Sequence, residues 1–269
     1  MAVFYDTHAH LGFPDFDADL DDVVSRARNA GIVKVITIGT DDATSQKAVA
    51  IAKKFPSVFA AVGWHPNDLA DAPADVRPGL RELAANPKVV AIGETGLDFY
   101  RRPTDTRSDE ERKKIAIKQA EAFQQQLELS AELGLGCIIH TRDSFEQTMA
   151  QMKPFMGKIR AVFHCFSQDV KAMERVFEAG WLVSFTGILT FKNGQNVRDC
   201  LTAAPLDRFM FETDSPFLAP LPFRGKRCEP AYVKNTAEFA AEVKNVSLDD
   251  LSAATCATAD RFFPKLNVP

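Results

Sequence analysis

Short apolar runs alternate with helix-patterned segments eight times along this chain, and no other feature narrows the choice of fold as much. Strand-length runs rich in β-branched and aromatic residues lie at 3–5, 34–38, 58–62, 88–93, 136–140, 160–164, 181–185 and 208–212. Helical patterns occupy 16–30, 44–55, 74–85, 115–133, 144–155, 170–179 and 193–203, and two more close the chain at 232–243 and 248–262. Gly31 and Pro56 stop the first two helices. Apolar strands separated by helices pair in parallel, because a parallel crossover needs a helix. The 269 residues suit a closed barrel of this kind, which typically takes ~250. The expected fold class is therefore α/β, one (β/α)8 TIM barrel, as a single domain over residues 1–269. An open doubly wound sheet is the alternative, but no Gly-x-Gly-x-x-Gly follows the first strand. The chain carries no linker, repeat or low-complexity tract.

Composition excludes several classes of function. A hydrophobic share of 46% is enough for a large core. A net charge of -4 supplies no global field for nucleic acid or anionic membrane, so a polyanionic substrate needs a local patch or bound cations. Cys137, Cys165, Cys200, Cys228 and Cys256 are odd in number and show no Cys-x-x-Cys spacing, which suggests reduced thiols and a cytoplasmic protein. Neither a leader-like N-terminus nor an apolar stretch of spanning length is present, so no membrane association is expected. The sequence leaves the oligomeric state open, and a monomer is compatible with it.

The chemistry gathers where strands end. Asp6-Thr7-His8-Ala9-His10 follows the first strand, and residues two apart in an extended segment point to the same side, so His8 and His10 can converge on one ion. A pair of surface histidines would read the same way in isolation. The remaining histidines of the chain, His65, His140 and His164, however, also fall at or just after the ends of the third, fifth and sixth strands, while Glu94 follows the fourth and Asp214 the eighth. In a barrel of parallel strands these ends form one mouth. The set His8, His10, Glu94, His140, His164 and Asp214 is too large for one tetrahedral zinc and suits two adjacent divalent ions bridged by a carboxylate.

At these residues the sequence resembles the TatD-type metal-dependent deoxyribonucleases, within the amidohydrolase-like barrels. The resemblance rests on Asp6-Thr7-His8-Ala9-His10, Val62-Gly63-Trp64-His65-Pro66, the block from Ala91 through Gly93-Glu94-Thr95-Gly96-Leu97-Asp98 to Arg101, Ile139-His140-Thr141-Arg142-Asp143, Phe163-His164-Cys165-Phe166-Ser167 and Phe211-Glu212-Thr213-Asp214-Ser215-Pro216. These blocks keep the family order from residue 4 to about 233. The resemblance implies that His8, His10 and Asp214 hold one ion, that His140 and His164 hold a second, and that Glu94 bridges them. It also implies that His65 borders a substrate phosphate, with an imidazole capping the turn before Pro66 as the alternative. Two departures stand out. Arg227-Cys228-Glu229-Pro230 replaces the family's Arg-Asn-Glu-Pro, and Cys256 stands where asparagine is common, so support for the loop after the eighth strand is in question.

Two adjacent cations lower the pKa of a water they share and neutralise phosphate charge. Histidine nitrogens favour Zn2+, Mn2+ or Co2+, and carboxylates with phosphate accept Mg2+. Asp214, as ligand and neighbour, either accepts the proton of the attacking water or is a ligand alone, and Glu94 shares the catalytic centre. Arg142 can bind phosphate in bidentate fashion, or pair with Asp143 or another carboxylate. Glu212 can orient a ligand histidine from behind, and Asp98 can do the same or simply make a turn. Basic patches are expected at Arg101, Arg102, Arg107, Arg112, Lys113 and Lys114, and again at Arg224-Gly225-Lys226-Arg227, near Phe99, Tyr100, Phe191, Phe217 and Phe223, which can stack on unpaired bases. Charge runs of this kind are also common as plain solvated faces. The expected function is a metal-dependent phosphodiester hydrolase. The resemblance makes it a 3′–5′ exonuclease on DNA or RNA ends, using two divalent ions (Mg2+, Mn2+ or Zn2+). An ester or amide hydrolase, for example acting on aminoacyl-tRNA, and a non-catalytic nucleic-acid-binding barrel are the alternatives.

Overall fold

The computed structural model describes residues 2–101 and 104–267. Eight parallel strands run in sequential order around one sheet: β1 (Phe4–Ala9), β2 (Ile32–Ile38), β3 (Val58–Val62), β4 (Val89–Asp98), β5 (Gly136–Arg142), β6 (Ala161–Phe163), β7 (Leu182–Phe185) and β8 (Phe209–Phe211). The helices α1 (Leu20–Asn29), α2 (Asp42–Lys54), α3 (Arg77–Ala84), α4 (Asp109–Leu133), α5 (Phe145–Met152), α6 (Val170–Glu178) and α7 (Gln195–Ala203) cross between them, and α8 (Val233–Lys244) and α9 (Leu248–Phe262) follow β8. The sheet closes on itself through a parallel bridge between Ala9 and Ser215. There the Asp214 N–H donates to the His8 carbonyl at 2.9 Å and the His10 N–H to the Ser215 carbonyl at 2.8 Å. This is the expected (β/α)8 barrel, and no helix among the described residues is long and apolar enough to cross a membrane.

The period-two geometry of the strands divides the barrel lumen into an apolar floor and a polar mouth. Ile36, Ile38, Phe59, Ile138, Val162 and Met210 form one buried cluster, sealed from below by Phe262, Phe263 and Leu266 at the end of α9. Two residues further along three of these strands stand His140, His164 and Glu212, facing the same interior at the other end. The larger cluster lies outside the sheet, where Phe4, Ile92, Phe163 and Phe211 meet the apolar faces of the helices.

Among the boundaries that differ from those expected, three bear on the site and its surroundings. β1 continues through Ala9, so His8 lies within the strand. β4 runs on to Asp98, so Glu94 is a strand residue and not the start of a loop, because Thr95, Gly96, Leu97 and Asp98 pair with residues 139–142 of β5. α4 begins at Asp109, ahead of the expected start at 115, since the Ser108 side chain accepts from the Glu111 N–H and the Glu111 carboxylate takes the Ser108 N–H in return.

Candidate metal centre

The six residues proposed as ligands meet at the mouth of the barrel. His8 and His10, brought to one side by strand alternation, place their Nε2 atoms 3.3 Å apart. His8 Nε2 lies 3.3 Å from Glu94 Oε2 and 3.7 Å from Asp214 Oδ1. His10 Nε2 lies 3.7 Å from Glu94 Oε2 and 3.3 Å from Asp214 Oδ1. Bonds of ~2.0–2.2 Å to a tetrahedral cation imply ligand spacings of about 3.3–3.6 Å, so these four atoms outline a cage of the right size. The other Glu94 oxygen turns to a second group: Oε1 lies 2.8 Å from both His140 Nδ1 and His164 Nε2, and 3.5 Å from His65 Nε2. His140 Nδ1 and His164 Nε2 are themselves 3.4 Å apart.

The chemistry of this donor set fits bound cations. Imidazole nitrogens and carboxylate oxygens turn their lone pairs toward common points in a buried site. Three sets, His8–His10–Glu94, His8–His164–Asp214 and His65–Glu94–His140, have ligand atoms within 4.8 Å of one another. Glu94 is buried, which by itself would raise its pKa, but the charge of His164 and hydrogen bonds from His140 and His164 hold it well below the usual carboxylate range. Asp214 is likewise depressed: burial pushes up, and His10 and His8 pull further down. Burial drives His8 downward. For His164, Glu94 and Glu212 outweigh burial and raise it well above the ordinary value.

Behind the ligands stand residues that fix which nitrogen faces the centre. Asp98 Oδ2 lies 3.2 Å from His140 Nε2, and it would hold the proton on that nitrogen while Nδ1 faced a bound cation. Asp98 is thus an orienting residue as well as a turn residue, since its Oδ1 accepts the Tyr100 N–H at 3.0 Å. Glu212 takes the Cys165 N–H at 2.7 Å and sits 3.4 Å from His164 Nδ1, an ion-pair distance. His65 is different. Its Nδ1 accepts the Asn67 N–H at 3.1 Å, which leaves the proton on the Nε2 that faces Glu94. Burial pushes its pKa down to about 3, so the ring is neutral and presents a donor, not a lone pair, to the centre.

Asp6 was given no role by the sequence reading. Fully buried, it accepts from the Thr213 N–H at 2.9 Å, the Thr213 hydroxyl at 2.6 Å and the His8 N–H at 3.3 Å, tying the first strand to the segment that carries Asp214. Burial pushes its pKa up to about 8, although these donors pull the other way. The available signal was its position two residues before His8 on the same face of a strand.

Both expected basic patches change character. Arg107 and Arg112 are taken up by Asp105, Lys114 by Glu110 and Arg101, more loosely, by Asp109, so the first patch is largely neutralised within itself; Arg102 lies outside the described residues. In the second, Arg227 is bound by Asp19 at 2.7 Å while Arg224 pairs with no carboxylate among the described residues. Arg142 makes no ion pair with Asp143; its guanidinium lies 3.8 Å over the Tyr100 ring. The substituted Cys228 is buried, with its N–H on the Pro216 carbonyl at 2.9 Å. Its neighbours Arg227 and Glu229 anchor the loop through Asp19 and Arg26, so the substitution does not remove that support. Cys256 sits on α9 with its thiol toward the Val3 carbonyl, remote from the loop.

Comparison with known proteins agrees with this geometry. The model of the TatD related DNase family matches residues 5–264. An uncharacterized metal-dependent hydrolase of Bacillus subtilis, YabD, is 36% identical over 264 residues, covering 97% of this chain and 99% of its own. A protein of Erwinia tasmaniensis named as the 3′-5′ ssDNA/RNA exonuclease TatD is 33% identical over 266 residues, covering 96% and 99%. The crystal structure of YjjV, a TatD homolog from Escherichia coli K12, superposes with a TM-score of 0.88 at 27% identity over 99% of this chain and 98% of that one. Sequence motifs, barrel and donor set together place the chain in the TatD related DNase family of metal-dependent hydrolases.

Proposed function

We propose that the protein removes nucleotides from the 3′ ends of single-stranded DNA or RNA, with two divalent ions held at the barrel mouth. One observation carries the reading: Glu94 divides its two oxygens between two separate sets of nitrogen donors, as a carboxylate bridging two cations must. His8, His10 and Asp214 would hold one ion and His140 and His164 the other. The ions supply a water acidic enough to react near neutral pH and charge to balance the phosphate. The Erwinia relative's name supports the substrate and the polarity.

The chain's own groups complete the chemistry. Asp214, ionised and only partly covered, takes the proton of the attacking water. His65 donates its Nε2 proton to a phosphate oxygen, and Arg142 offers a flat guanidinium to another. Glu212 and Asp98 keep the imidazoles aimed. A cavity of about 460 Å³ lined by Asn67, Asp98, Phe99, Tyr100, Arg107 and Arg112 reaches the centre through Asp98, which meets His140, and gives room for a terminal nucleotide.

The test combines metal content by mass spectrometry with the cleavage ladder of an end-labelled single strand in Mg2+ or Mn2+. The expected result is stepwise shortening from the 3′ end that stops in EDTA and in His140→Ala. Full activity in either condition, or faster turnover of an aryl ester than of any phosphodiester, would overturn the proposal.

A further inference from the structure

Arginines in this protein are mostly spent on other groups. Arg26, Arg77, Arg81, Arg107, Arg112, Arg175 and Arg227 pair with carboxylates, and Arg160, Arg198, Arg208 and Arg261 donate to backbone carbonyls. Arg28 on α1 stands without a partner among the described residues, and at the strand-end loops Arg142 and Arg224 also break the pattern. Both are exposed, and among the described residues neither donates a side-chain hydrogen bond nor meets a carboxylate. Each instead lies flat on an aromatic ring, Arg142 at 3.8 Å over Tyr100 and Arg224 at 3.7 Å over Phe191. A guanidinium stacked this way is held in place with its in-plane N–H fork unused, which is the arrangement that recognises a phosphate.

The platform under Arg224 is itself fixed. Phe191 donates its N–H to the Ile188 carbonyl at 2.9 Å, and its own carbonyl is taken by Arg198 at 2.7 Å. The loop bearing Arg224 is clasped to the Phe191 loop where the Leu221 N–H meets the Thr190 hydroxyl at 2.9 Å. Sheet order then fixes the placement. Tyr100 and Arg142 follow β4 and end β5, whereas Phe191 and Arg224 follow β7 and β8, three strands further around the same mouth. Beside Arg224's loop, Phe217 is 51% exposed, with its ring edge-on to His10 at 6.4 Å. One guanidinium thus stands on each side of the centre, with an open aromatic face next to a ligand histidine.

We propose that Arg224, braced by Phe191, is a second phosphate-holding site that grips the substrate strand away from the bond being cut, so that the enzyme favours a chain long enough to cross the mouth from Arg142 to Arg224. This rests on the single-strand nuclease reading. It adds a specificity determinant: a requirement for length in the substrate. A chain of net charge -4 has no global field for a polyanion, so local cations such as these carry the attraction.

The experiment compares the wild-type protein with Arg224→Gln, Arg224→Lys and Phe191→Ala. kcat and KM are measured on oligothymidylates from the dinucleotide up to about ten nucleotides, the span of a single-strand groove. In parallel, anisotropy follows binding of a fluorescent strand with a non-hydrolysable 3′ linkage across a range of salt. In Arg224→Gln the advantage of the longest substrate over the dinucleotide should shrink about tenfold, through KM, and the salt dependence of binding should lose roughly 0.7 of a log–log unit, one phosphate contact. Arg224→Lys and Phe191→Ala keep the charge, so they should weaken affinity while retaining the salt slope. A wild-type protein that cleaves, with an Arg224→Gln variant that matches it in length preference and salt slope, overturns this inference and leaves the nuclease intact. A wild-type protein that binds with the expected Arg224-dependent slope but cuts nothing upholds Arg224 as a phosphate contact and overturns both the nuclease reading and the length preference in cutting that rests on it. Failure both to bind and to cut removes both.

Discussion

Asp98 is the residue on which several others depend. One oxygen meets His140 Nε2 and, at 2.8 Å, the Asn67 side chain; the other accepts the Tyr100 N–H. The same carboxylate therefore orients a ligand imidazole, steadies the neighbour of His65 and positions the ring beneath Arg142. Interaction with His140 outweighs its desolvation and holds its pKa at about 2, so it is ionised at neutral pH. Asp98→Asn should weaken metal affinity by about 10–100-fold, the usual effect of losing a partner behind a metal-binding histidine, as a metal titration would register. His65→Gln should behave differently. Its proton-bearing Nε2 faces inward, so kcat should fall by roughly 10²-fold with metal stoichiometry unchanged. Loss of an ion in that variant would show that His65 is a ligand after all.

At the scale of elements, β4 and α4 hold the informative cases. The block Gly93-Glu94-Thr95-Gly96 reads as a loop because it is polar and rich in glycine, yet it continues β4. Gly96 adopts φ +145°, and a Cβ there would stand 1.9 Å from the His140 carbonyl oxygen. Only glycine lets β4 and β5 approach closely enough for Glu94 and His140 to share the centre. Gly96→Ala should therefore lower both thermal stability and metal content, whereas a variant that binds metal like the wild type would disprove this account. α4 carries a Ser-x-x-Glu box at its start, a signal present in the sequence within a run of charged residues. Ser108→Ala should cost about 1 kcal/mol in urea denaturation without altering activity.

Across the whole molecule, the barrel is closed by the meeting of its first and last strands, and charge reinforces that seam from outside. Asp19, just before α1, binds Arg227 at 2.7 Å and Arg26 at 2.9 Å, and Arg26 also grips Glu229 on the β8 loop at 2.7 Å. Hydrogen bonds from Arg227 and Arg26 hold the Asp19 carboxyl well below the usual range. A pKa depressed on folding contributes stability above the unfolded value near 3.9, and that contribution is lost as pH falls through the native value. The stability gap between wild type and Asp19→Asn should therefore be full at neutral pH and close progressively below about pH 4. A gap that stays constant down to strongly acidic pH would show that the cluster contributes nothing through this carboxylate.

Strand and helix alternation, the parallel barrel and the convergence of His8, His10, Glu94, His140, His164 and Asp214 could be read from the sequence alone. The period of two and the helical period are local properties, and strand ends in such a barrel share one mouth by topology. Other properties depend on neighbours far away in the chain. Pairing with β5 turned a glycine-rich stretch into strand, Asp98 oriented His140, Asn67 assigned the proton of His65, and Asp105 consumed Arg107 and Arg112. Arg142 and Arg224 look no different from those arginines in the sequence. Only packing shows that they rest on Tyr100 and Phe191 with their hydrogen-bond donors unspent among the described residues, because a side chain's partner is set by what folding brings within ångströms of it.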